Sequence, residues 1–228
     1  MSLLKRAVTS LRSQGLGATL LKLWGPVVDR QFDRKYGVDT CGISPLAELT
    51  IDSPNKEHGA PYQPTRVLPL RKLFPVLRPL VPADSVFVDL GCGKGRVLLL
   101  AAQHGFREVR GLEFARELCQ IAQRNWATFE AKTATRTKCH IIQTDVTAYT
   151  IQPEENVFFL FNPFDEIILG KVLLNLAASL RAAPRKVVVL FYFPSPACRE
   201  VIARHPELLL VREQRFWGCN FALYSNRT

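Results

Sequence analysis

With 228 residues, 47% of them apolar and 22% charged, the chain suits one large domain, or a domain with an N-terminal appendage, and is not a disordered protein. It can bury a substantial core without disulfides or metals, and no apolar run approaches the roughly 20 residues of a membrane-spanning helix. The net charge of +10 permits an anionic partner such as nucleic acid, acidic protein or lipid headgroups, and suits a basic-surfaced soluble enzyme equally well.

Residues 1–28 contain Lys5, Arg6, Arg12 and Lys22 and no acid. Leu3, Leu4, Ala7, Val8 and Leu11 recur at helical spacing. A second apolar set, Leu16, Leu20, Leu21, Leu23, Trp24 and Val27, follows Gly15 and Gly17. This predicts a pair of short basic amphipathic helices. Such a pair can lie on a membrane surface, dock on a partner, serve as a mitochondrial targeting peptide, or cap the domain. The cap is favoured, because the pattern runs on into FDRKYGVDT without a cleavage-like boundary.

Residues 39–68 are rich in Gly, Pro, Ser and Asp with no sustained period, as in a long functional or disordered loop. VLPLRKLFPVLRPL predicts a helix from near Thr65, bent or interrupted by Pro69 and Pro75. From residue 85 the order becomes regular. SVFVDL, EVRGLE, CHIIQTD, NVFFLFNPF and KVVVLFYF read as strands, alternating with helices, and PELLLVREQ and GCNFALYS read as a terminal hairpin. The expected class is α/β: a Rossmann-like, doubly wound, mostly parallel seven-stranded sheet with a C-terminal antiparallel hairpin and an N-terminal helical extension. The expected division is an extension over 1–80 and a ligand-binding domain over 81–228.

The stretch FVDLGCGKG carries the chemistry. A strand followed by Gly91, Gly93 and Gly95 lets a ligand approach main-chain atoms that a Cβ would block, at a helix N-terminus. Dinucleotide-binding turns use G-x-G-x-x-G, whereas here the third glycine comes one residue early and Arg96 follows. A phosphate-binding loop lacks its G-K-[ST]. Asp89, just before the turn, suits a cationic ligand better than a pyrophosphate.

These residues resemble the class I S-adenosylmethionine (SAM) methyltransferases over about residues 84–225. VFVDLGCGKG resembles their first motif, which implies a SAM site lined by Gly91, Gly93 and Gly95 with Asp89 near the methionine part. VRGLEF resembles the second, so Glu113 would accept both ribose hydroxyls, with Phe114 beside it. QTDV resembles the third, where Asp145 would accept from the adenine amino group and the Val146 amide would meet a ring nitrogen. FNPF occupies the fourth position. In amino- and amide-methylating relatives a [DNS]-P-P-[YFW] motif stands there, so Asn162, Pro163 and Phe164 would hold a nitrogen acceptor, in a loop shorter by one proline.

A second resemblance is to bacterial methyltransferases of undefined substrate and, more distantly, to small protein-lysine methyltransferases acting on an ATP synthase subunit. It rests on YQPT, a helix, then VDLGCGKGRVLLLAA and GLEF. It implies that Tyr62 and Thr65 flank the SAM pocket. FNPF, the GVDT loop and the long N-terminus depart from the lysine enzymes, so protein, nucleic acid and small molecule all stay open as acceptors. A binding module without turnover is the alternative reading.

Tyr192, at the end of the fifth strand, either reaches the acceptor or belongs to the core. His58, His104, His140 and His205 include no nominated base, Cys92 reads as a small filler, and Trp126 and Trp217 as core or rim. The six cysteines form no C-x-x-C pair or Cys/His cluster, which predicts free thiols in a reducing, cytoplasmic setting and no metal.

Overall fold

A computed structural model describes the backbone of residues 3–227, and side chains for residue 19 and residues 21–227. The strands are β1 (Val86–Leu90), β2 (Glu108–Glu113), β3 (Lys138–Gln143), β4 (Glu155–Leu160), β5 (Val188–Tyr192), β6 (Leu209–Phe216) and β7 (Cys219–Ser225). The helices are α1 (Leu3–Tyr36), α2 (Val67–Leu77), α3 (Arg96–His104), α4 (Arg116–Thr133), α5 (Glu166–Ala182) and α6 (Pro196–Ala203). One seven-stranded sheet runs β3-β2-β1-β4-β5-β7-β6, with β7 antiparallel between β5 and β6 and the other neighbours parallel. This is the expected Rossmann-like architecture with its terminal hairpin.

Every residue of β1 is buried, because helices cover both faces of the sheet. Alternation sends Phe87, Val109, Phe159 and Leu190 to one face, against α2 and α3. Val88, Leu112, Phe158 and Val189 go to the other, against α5 and α6. Chain order reverses between β1 and β4, and the crevice beyond the carboxyl ends of such a pair is where open α/β sheets bind ligands. FVDLGCGKG and FNPF therefore stand on either side of that crevice.

The extension differs from expectation. A single helix, α1, runs through Gly15, Gly17 and Pro26 where two short helices were predicted. A glycine in a helix interior costs only about 1 kcal/mol, and the C-terminal half of α1 is held by packing. Leu21, Phe32 and Tyr36 join the core that α2 and α3 share with the sheet, and Tyr36 packs on Phe129 of α4 with ring centroids 5.2 Å apart. The basic set Lys5, Arg6 and Arg12 lies outside the residues whose side chains are described. Helix α2 starts at Val67, its first amide donating to Asp29 Oδ1 of α1 at 3.0 Å. Pro69 falls in the first turn, where no intrahelical bond is lost, and the helix runs on through Pro75 to Leu77.

Candidate functional site

The floor of the site is the turn after β1. The amides of Gly91 and Cys92 both donate to the Leu112 carbonyl at 2.9 Å, and Gly93 N donates to Glu113 Oε2 at 2.8 Å. Ala115 N donates to the other oxygen, Oε1, at 2.9 Å. Glu113 is thus aimed from the end of β2 across the turn by two main-chain amides. Burial raises its carboxyl to about 7, against the downward pull of those amides. Asp89 is 2% exposed and accepts a hydrogen bond from no described residue. Burial, and then the neighbouring Glu113, push its carboxyl well above the usual range. Two buried acids side by side, one without a donor, form a site poised for positive charge and for hydroxyl donors.

The roof is the segment predicted as a loop. Residues 37–66 form a strap across the carboxyl ends of the strands, with two short 3-10 turns at Leu46–Glu48 and Lys56–His58. Bridges fasten it at Ser44–Tyr62, Ile51–Ala115 and Gly59–Phe164. His58 Nδ1 and Asp165 Oδ2 lie 2.6 Å apart, while Asp165 also caps the N-terminus of α5. The Tyr62 hydroxyl donates to the Thr40 carbonyl at 2.7 Å, which lays the phenol ring over the glycine turn. A Cβ at Gly93 would meet that ring at 2.3 Å, and one at Gly91 would meet Pro163 Cβ at 2.3 Å. The protein itself therefore closes on this backbone, the strap at Gly93 and the loop after β4 at Gly91.

Arg96, the first residue of α3, ties roof to floor and is 2% exposed. Its Nε donates to Thr40 Oγ1 at 2.6 Å and Nη1 to the Thr65 carbonyl at 3.0 Å. The carboxylates of Asp29 and Asp33 on α1 lie 3.5 and 3.6 Å from the guanidinium. Lys94 reaches Asp39 at 3.1 Å and the Cys41 carbonyl at 3.0 Å. The sequence reading missed this hub. The available signal was a lone arginine opening an otherwise apolar helix, RVLLLAA, beside an N-terminal segment whose first acids are Asp29 and Asp33.

Between floor and roof lies a cavity of about 950 Å3, counting its open mouth. Asp89, Gly91, Gly93, Glu113, Phe114 and Asn162 line it, and Tyr62 and Thr65 stand in its wall. Gly95 lies behind the turn, 3.3 Å by its missing Cβ from Ala122 of α4. An adjoining slot is lined by Phe114, Asp145, Val146, Pro163, Phe164 and Ile168.

No protein-family model matches the chain, and no curated protein matches it. Solved structures do. A candidate RNA methyltransferase from Pyrococcus horikoshii superposes with a TM-score of 0.55 at 16% identity, over 80% of this chain and 96% of that one. A candidate methyltransferase from Escherichia coli gives 0.52 at 18% identity, over 79% and 92%. An RNA methyltransferase from Salinibacter ruber, solved with S-adenosyl-L-homocysteine, gives 0.50 at 20% identity, over 72% and 94%. The fold is a methyltransferase fold.

Within this methyltransferase fold the residues singled out from sequence divide into two groups. Asp89, Gly91, Gly93, Glu113, Phe114 and Asn162 meet around one cavity, whereas Asp145, Val146 and Phe164 meet in the slot beside it. Asn162 and Phe164 therefore face different compartments, because one proline fewer leaves the aromatic two residues from the asparagine. The Pro163 carbonyl accepts from Ala60 N of the strap at 3.0 Å. Asn162, at φ 44, donates its amide to the Phe193 carbonyl at 2.9 Å, and no described residue engages its Oδ1.

Asp145 accepts from Ser53 and from Asn55 at 2.8 Å, both on the strap, and from Thr147 N at 2.8 Å. Burial pushes its carboxyl up, but these donors hold it below the ordinary range. Tyr192 is a core residue: it stacks on Phe221 at 4.5 Å and donates to Cys219 Sγ at 3.0 Å. Cys92 packs toward Gly111, and burial raises its thiol. No histidine among the described residues lines the cavity or the slot.

Proposed function

We propose that the chain is a SAM-dependent methyltransferase that transfers the methyl group to a nitrogen. The observation that carries this is the buried pair Asp89 and Glu113, two acids with raised pKa values facing a cavity whose lining cation, Arg96, is engaged by Thr40, the Thr65 carbonyl, Asp29 and Asp33. A sulfonium with an ammonium relieves that arrangement, and a pyrophosphate worsens it. The residues fit the cofactor part by part. Asp89 and the glycine turn suit the methionine end, and the Glu113 carboxylate, fixed by two amides, offers its remaining lone pairs to a vicinal diol. The slot between Phe114, Val146 and Ile168 suits a flat adenine, with Asp145 at its edge.

When bound, SAM supplies an electrophilic methyl group. The chain's residues exclude water with the strap and hold the acceptor in line, which is the larger part of such catalysis. Asn162 has the role of orienting the acceptor, because its amide nitrogen is committed to Phe193 and its Oδ1 is left to accept from a substrate NH. The extension, in its described part, serves as the cap of this site. The resemblance through YQPT to protein-lysine enzymes supports a nitrogen acceptor through the placement of Tyr62 and Thr65.

Calorimetric titration with S-adenosylhomocysteine (SAH) and SAM tests the reading. The wild-type chain is expected to bind both. Asp89→Asn, which keeps the shape and removes the charge, should weaken SAM by about tenfold or more, the worth of one charge-assisted contact. Asn162→Ala should leave binding intact and slow transfer. Absence of binding at millimolar SAM sinks the proposal.

A further inference from the structure

A second depression adjoins the cofactor cavity and shares Gln63 and Phe161 with it. It opens about 1430 Å3, counting its mouth. Its walls come from four places: Leu21 and Lys22 of α1, the strap, the residues just after β4 and β5, and the turn joining β6 to β7. Aromatic rings line its inner end. Phe161 and Tyr192 have centroids 4.5 Å apart, Tyr192 and Phe193 4.6 Å, and Trp217 stands opposite on the hairpin turn. Three of the four non-glycine residues with positive φ among the described residues are Asn162 (44°), Phe193 (53°) and Trp217 (51°). Phe193 and Trp217 line this depression, and Asn162 stands beside it, following Phe161 and bonded to the Phe193 carbonyl. Left-handed backbone is costly for bulky side chains and persists where the surrounding structure enforces it, commonly at ligand sites.

The charges in the depression have one sign. Lys22, Arg66 and Arg215 line it, and no Asp or Glu does. Arg66 is paired with Asp29 at 2.7 Å, whereas Lys22 and Arg215 are exposed and form no ion pair among the described residues. Such a wall repels the ammonium of a lysine and attracts an anion. Rings at the inner end and cations at the rim match a flat base carrying a phosphate.

We infer that this groove is the acceptor site and that it takes a nucleotide unit, the base set among Phe161, Phe193 and Trp217 and the phosphate on Lys22 and Arg215. The inference rests on the methyltransferase reading above. An amino nitrogen of the base, hydrogen-bonded to Asn162 Oδ1, forms the new N–C bond as the methyl C–S bond breaks. The bonding pair stays on sulfur, giving SAH, and the surplus proton on nitrogen leaves to water at the groove mouth.

The test has two stages with the full chain. SAH binding is measured first by calorimetry, for wild type and for the double variant Lys22→Glu/Arg215→Glu. Transfer from methyl-labelled SAM is then followed into three acceptors: protein-free RNA, nucleoside monophosphates, and nucleic-acid-free protein. Label is expected in RNA or in mononucleotides, and which of the two takes it tells polymer from free nucleotide. The double variant is expected to bind SAH as wild type does and to lose transfer roughly tenfold or more, with wild-type binding to single-stranded RNA weakening as salt rises. Label confined to protein, label in neither nucleotide pool, or a double variant that transfers at the wild-type rate overturns the inference while leaving the cofactor reading intact. Failure to bind SAH would instead remove the reading on which it stands.

Discussion

The glycine turn takes its shape from immediate neighbours in the sheet, whereas the strap above it borrows most of its fastenings from distant elements. Gly91 and Cys92 share one carbonyl of the adjacent strand, and Gly93 is pinned by Glu113 at that strand's end. The strap leans on Asp145, Asp165, Ala115 and Arg96, each from a separate part of the domain. A floor of this kind is formed once the sheet is formed. A roof of that kind is a set of latches, each worth about 1 kcal/mol, which together close the site and singly can release. The comparison separates a floor held by its own sheet from a roof held by several separate fastenings, and on the proposed reading the first positions the cofactor and the second admits it.

Arg96 is where the two halves meet, and Arg96→Met should break the comparison most severely. It removes the buried guanidinium from Asp33, Thr40 and the Thr65 carbonyl and leaves Asp29 with Arg66 alone, and losing one partner of a buried charge cluster costs about 3–5 kcal/mol. Denaturant unfolding is expected to show that loss. Gly93→Val comes next. At φ 53, with its Cβ 2.3 Å from the Tyr62 ring, valine strains the backbone by about 1–3 kcal/mol and forces the roof off the floor. SAH binding should disappear in calorimetry while circular dichroism still reports the sheet.

A titration sharpens the comparison from the floor side. Glu113 is raised from its ordinary 4.5 to about 7, and a ligand that donates to its carboxylate binds the ionised form. SAH affinity should therefore rise with pH through about 7 and flatten above, falling by up to about tenfold per pH unit below. The ligand-free chain should run the other way. A carboxyl with a raised folded pKa contributes stability that is fully present below 4.5 and lost as pH rises through about 7, so its melting temperature should drop over that window. The smallest effect belongs to a single latch. His58→Ala removes one bond to Asp165, about 1 kcal/mol, and should appear as faster proteolysis within the strap with SAH affinity changed only a few-fold.

The same contrast explains what the sequence made legible. The strands announced themselves through short apolar runs, and the floor through a glycine turn between a strand and a helix, since both signals lie within a few adjacent residues. Glu113 was legible as a strand end because it closes β2, and Asp145 follows two residues beyond the end of β3. The roof could not be read, because its bonds join residues far apart in sequence: Ser53 to Asp145, 92 positions on, and Thr40 to Arg96, 56 positions on. Composition showed a polar, proline-rich stretch, which looks alike whether it hangs free or is fastened. Gly15 and Gly17 suggested a break in α1 because propensity is local, while the packing of Phe32 and Tyr36 that anchors the helix is not. Phe164 was paired with Asn162 by motif, and one missing proline was enough to turn it into the neighbouring slot.

The Arg96 cluster also bears on how the chain matures during synthesis. Asp29 and Asp33 leave the ribosome well before Arg96, which lies beside both, and α2 takes its first capping group from Asp29. Until β1 and α3 have been made, Asp29 has only Arg66 of its two cations and the early segment has no sheet to lie on. The first third of the polypeptide therefore gains its full set of partners only once the middle third has been made. Growth from the amino end thus leaves this segment without its later partners for an interval in which its apolar side chains are open to chaperones and proteases.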